Sequence, residues 1–309
     1  MFESTHATGS AHLAHPVTEA AANSFYAVQF ALAVFLNSTV VATAVELQEV
    51  ASFPDKQITG VGVSTKSGRI FVNFPYWSDD HSISVAEIVN GQPKAFPNDE
   101  WNTPGPAGSH FVCVQSVIVD DQDNLWVLDP AAPRMQQIVK GGPKLVKIDL
   151  ATNQVVQTIP FGKDVAPKKS YLNDVRIDTR TDTAFITESA NGAIIVVDLK
   201  SGKARRLLDG HPSTQPEKDV KLVVDGKALI DQQKKMPPQI ASDGIALDVK
   251  NGYLYYHALT GHTLYRIKMS FLMDEKLGKH DLESGKRRAD ASTRWDARRA
   301  RWQRLSHRS

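Results

Sequence analysis

The stretch Ser116 to Asp129, SVIVDDQDNLWVLD, decides the fold. Four alternating residues lead into an Asp-rich turn, and a second apolar run with an aromatic near its centre comes back. Period-2 alternation marks a half-buried strand, and Asp and Asn tolerate the tight backbone of a hairpin turn. The same pattern recurs at Gly60 to Phe74 (GVGVSTKSGRIFVNF), Asp174 to Ser189 (DVRIDTRTDTAFITES) and Gly244 to Leu259 (GIALDVKNGYLYYHAL). Each copy reads as a β-hairpin. Trp126 falls in one repeat column with Phe71, Phe185 and Tyr255, and all are expected in the core.

A second hairpin follows at Lys144 to Pro160 (KLVKIDLATNQVVQTIP) and Ala193 to Leu208 (AIIVVDLKSGKARRLL). Ser82 to Phe96, turning at Asn90-Gly91, completes the first unit in the same way, and Thr263 to Lys268 begins the fourth. Two hairpins per unit make a four-stranded sheet, and recurrence at roughly 55 to 70 residues is the signature of propeller blades with inserted loops. The expected fold is therefore all-β, a propeller over residues 45–268. A β-sandwich is the alternative, but it does not require the two-hairpin period.

The 309 residues are 41% hydrophobic, enough for a large core. A formal net charge of +2 gives no global electrostatic case for nucleic acid, and no nucleic-acid partner is expected. The single cysteine, Cys113, excludes an internal disulfide and multi-cysteine metal sites; it sits in the apolar run FVCV and reads as a buried small hydrophobe. Phe25 to Leu36 (FYAVQFALAVFL), followed by Ala42-Thr43-Ala44, fits the apolar core and cleavage site of a signal peptide. Residues 1–44 are thus read as a signal peptide or N-terminal extension, and the protein as secreted or periplasmic with no stable membrane span after cleavage. The preceding stretch carries no Lys or Arg, which leaves open a buried helix or an uncleaved anchor.

Several long motifs in order give the chain a resemblance to the major royal jelly/yellow family, in particular its bacterial, dopachrome-tautomerase-related members. They are Val114 to Asp129, Lys144 to Val156, SYLNDVRIDTRTDTAFITES (Ser170 to Ser189), GAIIVVDLKSGKARRLLDGHPS (Gly192 to Ser213) and SDGIALDVKNGYLYYHALTGHTLYRI (Ser242 to Ile267). The resemblance covers about residues 46 to 268 and implies a six-bladed propeller, distantly similar to gluconolactonase and regucalcin. Four units are visible. After Ile267 the strand pattern gives way to Arg-rich, helix-prone sequence ending WDARRARWQRLSHRS. The expectation is a propeller cut to about four blades, with 269–309 a basic, non-native or helical tail from a frameshift or misplaced gene end. A binding role for that tail, with Trp295 and Trp302 among arginines, is the competing reading.

In a propeller, the loop before each innermost strand points side chains into the channel mouth. Gln115-Ser116, Asn173-Asp174 and Asp243-Gly244 occupy that place, and Trp77 lies after the first aromatic strand where it could wall the channel. The expected ligand-binding residues are Gln115, Ser116, Asn173, Asp174 and Trp77. The resemblance to lactonase propellers implies one divalent cation, calcium foremost, on Asn173 and Asp243, with Asp243 as the catalytic carboxylate. The blade-one Glu of those enzymes is replaced here by Ile58-Thr59-Gly60-Val61, which removes a charged ligand. Asn173 and Asp243 could equally brace blade turns. His81, His110, His257 and His262 read as packing or surface residues. The implied activity is binding of an amine, aromatic or lactone small molecule; a metal-dependent lactonase or a dopachrome tautomerase-like enzyme is the alternative.

Overall fold

Every hairpin expected from the repeat is present, and together they form consecutive blades of a propeller. The computed structural model describes residues 47–77, 82–231 and 235–277. The export segment, His81, Lys234 and the residues after 277 lie outside the described residues.

The first blade is β1 (Gly60–Val63), β2 (Ile70–Asn73), β3 (Val85–Val89) and β4 (Gln92–Ala95), paired in that order. The second is β5 (Ser116–Val119), β6 (Asn124–Asp129), β7 (Lys144–Asp149) and β8 (Gln154–Pro160). The third is β9 (Leu172–Asp178), β10 (Thr183–Glu188), β11 (Ala193–Asp198) and β12 (Ala204–Leu207). A small hairpin, β13 (Val223–Val224) with β14 (Lys227–Ala228), sits in the long insertion that follows. The fourth blade has three described strands, β15 (Ser242–Asp248), β16 (Tyr253–Ala258) and β17 (Tyr265–Lys268). Two short α-helices, α1 (Asp99–Asn102) and α2 (Met269–Met273), and two 3-10 turns, Pro133–Met135 and Pro212–Thr214, complete the set among the described residues.

All neighbouring strands within the blades are antiparallel, and the turns use the residues the sequence supplies. Asn90 and Gly91 both adopt positive φ, 52° and 77°, the geometry that lets a two-residue turn follow the twist of its strands.

Period-2 alternation gives each blade two faces, and successive blades pack face to face. Phe71 of the first blade packs against Val117, Leu125 and Val127 of the second. Trp126 of the second joins Val175, Ala184 and Ile186 of the third. Phe185 of the third meets Ile245, Leu254 and Tyr256 of the fourth. The apolar core is thus three successive interblade layers and a smaller cluster of Val72, Phe74 and Ala86 in the first blade, and the inner strands β1, β5, β9 and β15 stand side by side in chain order.

The repeat column expected to be buried holds in three blades. Phe71, Trp126 and Phe185 are buried, but Tyr255 is half-buried and the adjacent Tyr256 takes the core position. Tyr255 lies on the fourth blade's far face, which no further blade covers among the described residues. Packing also continues past residue 268, where the sequence reading ended the propeller: Met269 and Leu272 of α2 are buried in the layer between blades three and four.

Candidate functional site

The loops entering β5, β9 and β15 converge on one cavity of about 540 Å³. Its lining includes Gln115, Ser116, Asn173, Asp174, Asp243 and Trp77, so all six expected site residues come together. This volume falls in the range of small-molecule sites.

A hydrogen-bond chain crosses the mouth from blade to blade. Trp77 Nε1 donates to the Tyr171 hydroxyl at 2.7 Å, and that hydroxyl donates to Gln115 Oε1 at 2.7 Å. Gln115 Nε2 donates to Asn173 Oδ1 at 3.3 Å. Asn173 Nδ2 donates on to the backbone carbonyl of Asp243 at 3.4 Å. Since an indole N–H can only donate, the direction of the whole chain is set at Trp77 and runs toward Asp243.

Asp243 is the electrostatic centre of the mouth. Burial pushes its carboxyl up from an ordinary 3.8 to about 6; the nearby Asp174 adds to the shift, while His257 and the Asn173 hydrogen bond oppose it. Its backbone carbonyl is fixed by the Thr187 hydroxyl at 2.7 Å. His257 Nδ1 lies 2.9 Å from the Ala258 carbonyl, a contact that requires a proton on Nδ1. Nε2 is turned toward Gly244, where a side chain of any size would collide with the ring.

Ser116 and Asp174 tie two blades together. The Ser116 hydroxyl donates to Asp174 Oδ1 at 2.8 Å, and the same carboxylate pairs with Arg176 at 2.8 Å. Asn173 also braces its neighbours, as its alternative reading required, while still facing the cavity.

A calcium ion takes about six to eight oxygen ligands. The mouth offers the Asp243 carboxylate and the Asn173 amide oxygen, which already accepts from Gln115, while Asp174 is committed to Arg176 and Ser116. Thr59 stands where a blade-one carboxylate would be, its hydroxyl donating to the Gln115 carbonyl at 2.7 Å. As arranged, these residues do not fit a hard-cation site.

Several lining residues escape the sequence reading: Thr59, Ser170, Tyr171, and the loop residues Met135, Gln136, Gln239 and Ile240. Tyr171 precedes Asn173 by two positions, as Cys113 precedes Gln115, but that column reads as a buried position and carries no signal of a contact at the mouth. Ser170 is 2% exposed and its hydroxyl has no hydrogen-bond partner. Cys113 is fully buried as expected, and burial raises its thiol to about 12.

Residues 112–298 match the family model described as Major royal jelly protein, which extends past the last described strand. Major royal jelly protein 1 of Apis mellifera is 24% identical over 191 residues, 59% of this chain and 42% of that protein. Yellow-related salivary protein SP04 of Phlebotomus argentipes is 22% identical over 240 residues, 69% of this chain and 56% of that protein. The chain thus spans about half the length of the curated relatives it matches. Among solved structures, Kuenenia stuttgartiensis hydrazine synthase aligns at a TM-score of 0.45 with 14% identity, covering 74% of this chain and 57% of that one. With the family model matching well over half its length, the chain belongs to the major royal jelly protein family.

Proposed function

We propose that the protein is an exported small-molecule-binding propeller that takes an aromatic amine at the channel mouth. The observation that carries this reading is the one-way donor chain from Trp77 to Asp243. It commits the donors of Tyr171, Gln115 and Asn173 to acceptors within the protein and ends on the backbone carbonyl of Asp243, a residue whose carboxylate belongs to the same cavity lining. A carboxylate in a cavity selects a ligand that brings donors and positive charge. The Trp77 and Tyr171 side chains provide aromatic surface in the same cavity. The related proteins carry the names royal jelly and salivary, which supports export of this chain. No helix among the described residues is long and apolar enough to cross a membrane.

Calorimetric titration at pH 7.5 with phenethylamine and with its uncharged analogue 2-phenylethanol tests the reading. The amine is expected to bind and the alcohol to bind at least about tenfold more weakly, a difference of about 1.4 kcal/mol. Equal affinities, or none for either, would refute it. Mass determination of the purified mature chain tests export, which predicts loss of the residues up to Ala44.

A second reading is favoured by one observation, the Asp243 carboxyl held near 6, which suits a group that gives and takes protons close to neutral pH. It covers the dopachrome tautomerase-like and lactonase alternatives. Substrate turnover by the wild type that Asp243→Ala abolishes would establish it. Stabilisation of the fold by added calcium would revive the cation reading despite the poor donor set.

A further inference from the structure

We infer that Asp129 and Glu188 are positioning residues, which fix the loops carrying Gln115 and Asn173 and so set the shape of the channel mouth. The inference rests on the binding reading above for its functional meaning, and on a repeated structural device for its evidence.

Asp129 and Glu188 occupy the same place in two blades: each is the last residue of the second strand. Both are fully buried. Each carboxylate turns back to the segment just ahead of its own blade's inner strand. Asp129 accepts from the backbone N–H groups of Val112 at 2.8 Å and Cys113 at 3.0 Å, and also from Ala131 at 2.8 Å. Glu188 accepts from Tyr171 at 2.9 Å, Ala190 at 2.8 Å and Asn191 at 3.1 Å. The clamped amides of Cys113 and Tyr171 lie two residues before Gln115 and Asn173, so the offset is the same in both blades.

Each anion is matched by a buried cation drawn from a different strand. Lys144, the first residue of β7, reaches Asp129 at 2.8 Å and spends its other donors on the carbonyls of Ala107 and Gly142. Arg206 of β12 reaches Glu188 at 2.6 Å and is also bound to Asp209 at 2.8 Å. A buried ion pair contributes little net stability against an apolar pair of the same size. Its recurrence with the same backbone targets and a different cation source therefore points to loop geometry.

The other two blades are consistent with this. The same column holds Phe74 in blade one and Ala258 in blade four, and at the mouth position of Gln115 and Asn173 these blades carry Thr59 and Asp243, neither of them an amide. The Asp243 loop is instead held from blade three, by the Thr187 hydroxyl on its carbonyl and by Ala241 N–H on the Ser189 carbonyl at 2.9 Å. Of the mouth loops, those bearing Gln115 and Asn173, whose side chains must meet, are fixed by a carboxylate of their own blade.

The test is Glu188→Gln, which keeps the shape, removes the charge and leaves Arg206 its Asp209 partner. Hydrogen exchange in the folded protein should accelerate at residues 171–173 and stay unchanged at 112–115. Phenethylamine affinity should fall about tenfold while the preference over 2-phenylethanol shrinks. Val197→Ala, in the buried core of the same blade, is the control for plain destabilisation and should leave both readouts in place. A folded Glu188→Gln protein with wild-type exchange at 171–173 and wild-type affinity overturns the inference, as does an equal loss in Val197→Ala. If Glu188→Gln does not fold, Asp129→Asn combined with Lys144→Met makes the same test at 112–115. Failure of the wild type to bind phenethylamine refutes the binding reading alone, and the exchange pattern then decides the positioning role.

Discussion

Replacing Asp243 by Asn should make the protein more stable at neutral pH while abolishing amine capture. The carboxyl keeps its proton up to about pH 6 in the folded protein and up to about 3.8 when unfolded. Between those values the folded state binds more protons than the unfolded chain, so stability is full below about pH 4 and falls as pH rises to 6. Above pH 6 the loss is constant. A shift of that size corresponds to at most about 3 kcal/mol, which Asn, having no charge to desolvate, recovers. The assay is a thermal melt of both proteins at pH 4.5 and pH 8. Comparing the two proteins cancels the titrating groups that do not interact with Asp243. The variant should melt several degrees higher at pH 8 and higher by only about a third of that separation at pH 4.5. A separation that is the same at both pH values, or a variant less stable at pH 8, would refute the reasoning about Asp243.

Three further outcomes follow from the packing. Trp126→Ala removes the largest side chain between blades two and three and leaves Asp120 without the indole N–H at 2.8 Å; chemical denaturation should show a loss of about 3–5 kcal/mol. Gly60→Ala would set a methyl 2.5 Å from Asn73 Oδ1 and 2.7 Å from the Val117 backbone nitrogen, and should cost about 1–3 kcal/mol in the same assay. Cys113, buried and with its thiol raised to about 12, should not react with a chromogenic thiol reagent until the protein unfolds; rapid reaction in the folded state would show that the segment ahead of β5 opens.

The hairpins were legible because strand period and turn chemistry are local properties: SVIVDDQDNLWVLD contains its two strands and the turn that joins them. The mouth residues Gln115, Asn173 and Asp243 were legible for a related reason, since a repeat carries equivalent residues to equivalent places. Tyr255 shows where that logic stops. A repeat column predicts burial only when the next blade is there to cover it, and that depends on the neighbour rather than on the residue.

Tyr171 and Ser170 were missed because their role depends on a contact across blades, which no window along the chain contains. Met135 and Gln136 reach the mouth from the loop after β6, whose left-handed turn at Arg134 and Met135 has no periodic signal. Asp129 and Glu188 were in plain view as strand ends. Their partners, Lys144 and Arg206, come from different strands of the two blades, so no fixed spacing connects anion to cation.

The central claim is that three equivalent segments entering β5, β9 and β15 bring Gln115, Asn173 and Asp243 to one opening, walled by Trp77 from the segment after β2, that receives a cationic ligand. A crystal structure of the protein soaked with phenethylamine tests it most directly. The account predicts the ammonium within hydrogen-bonding distance of the Asp243 carboxylate and the ring beside Trp77 or Tyr171. An amine bound elsewhere, with the channel mouth holding only solvent, would contradict it.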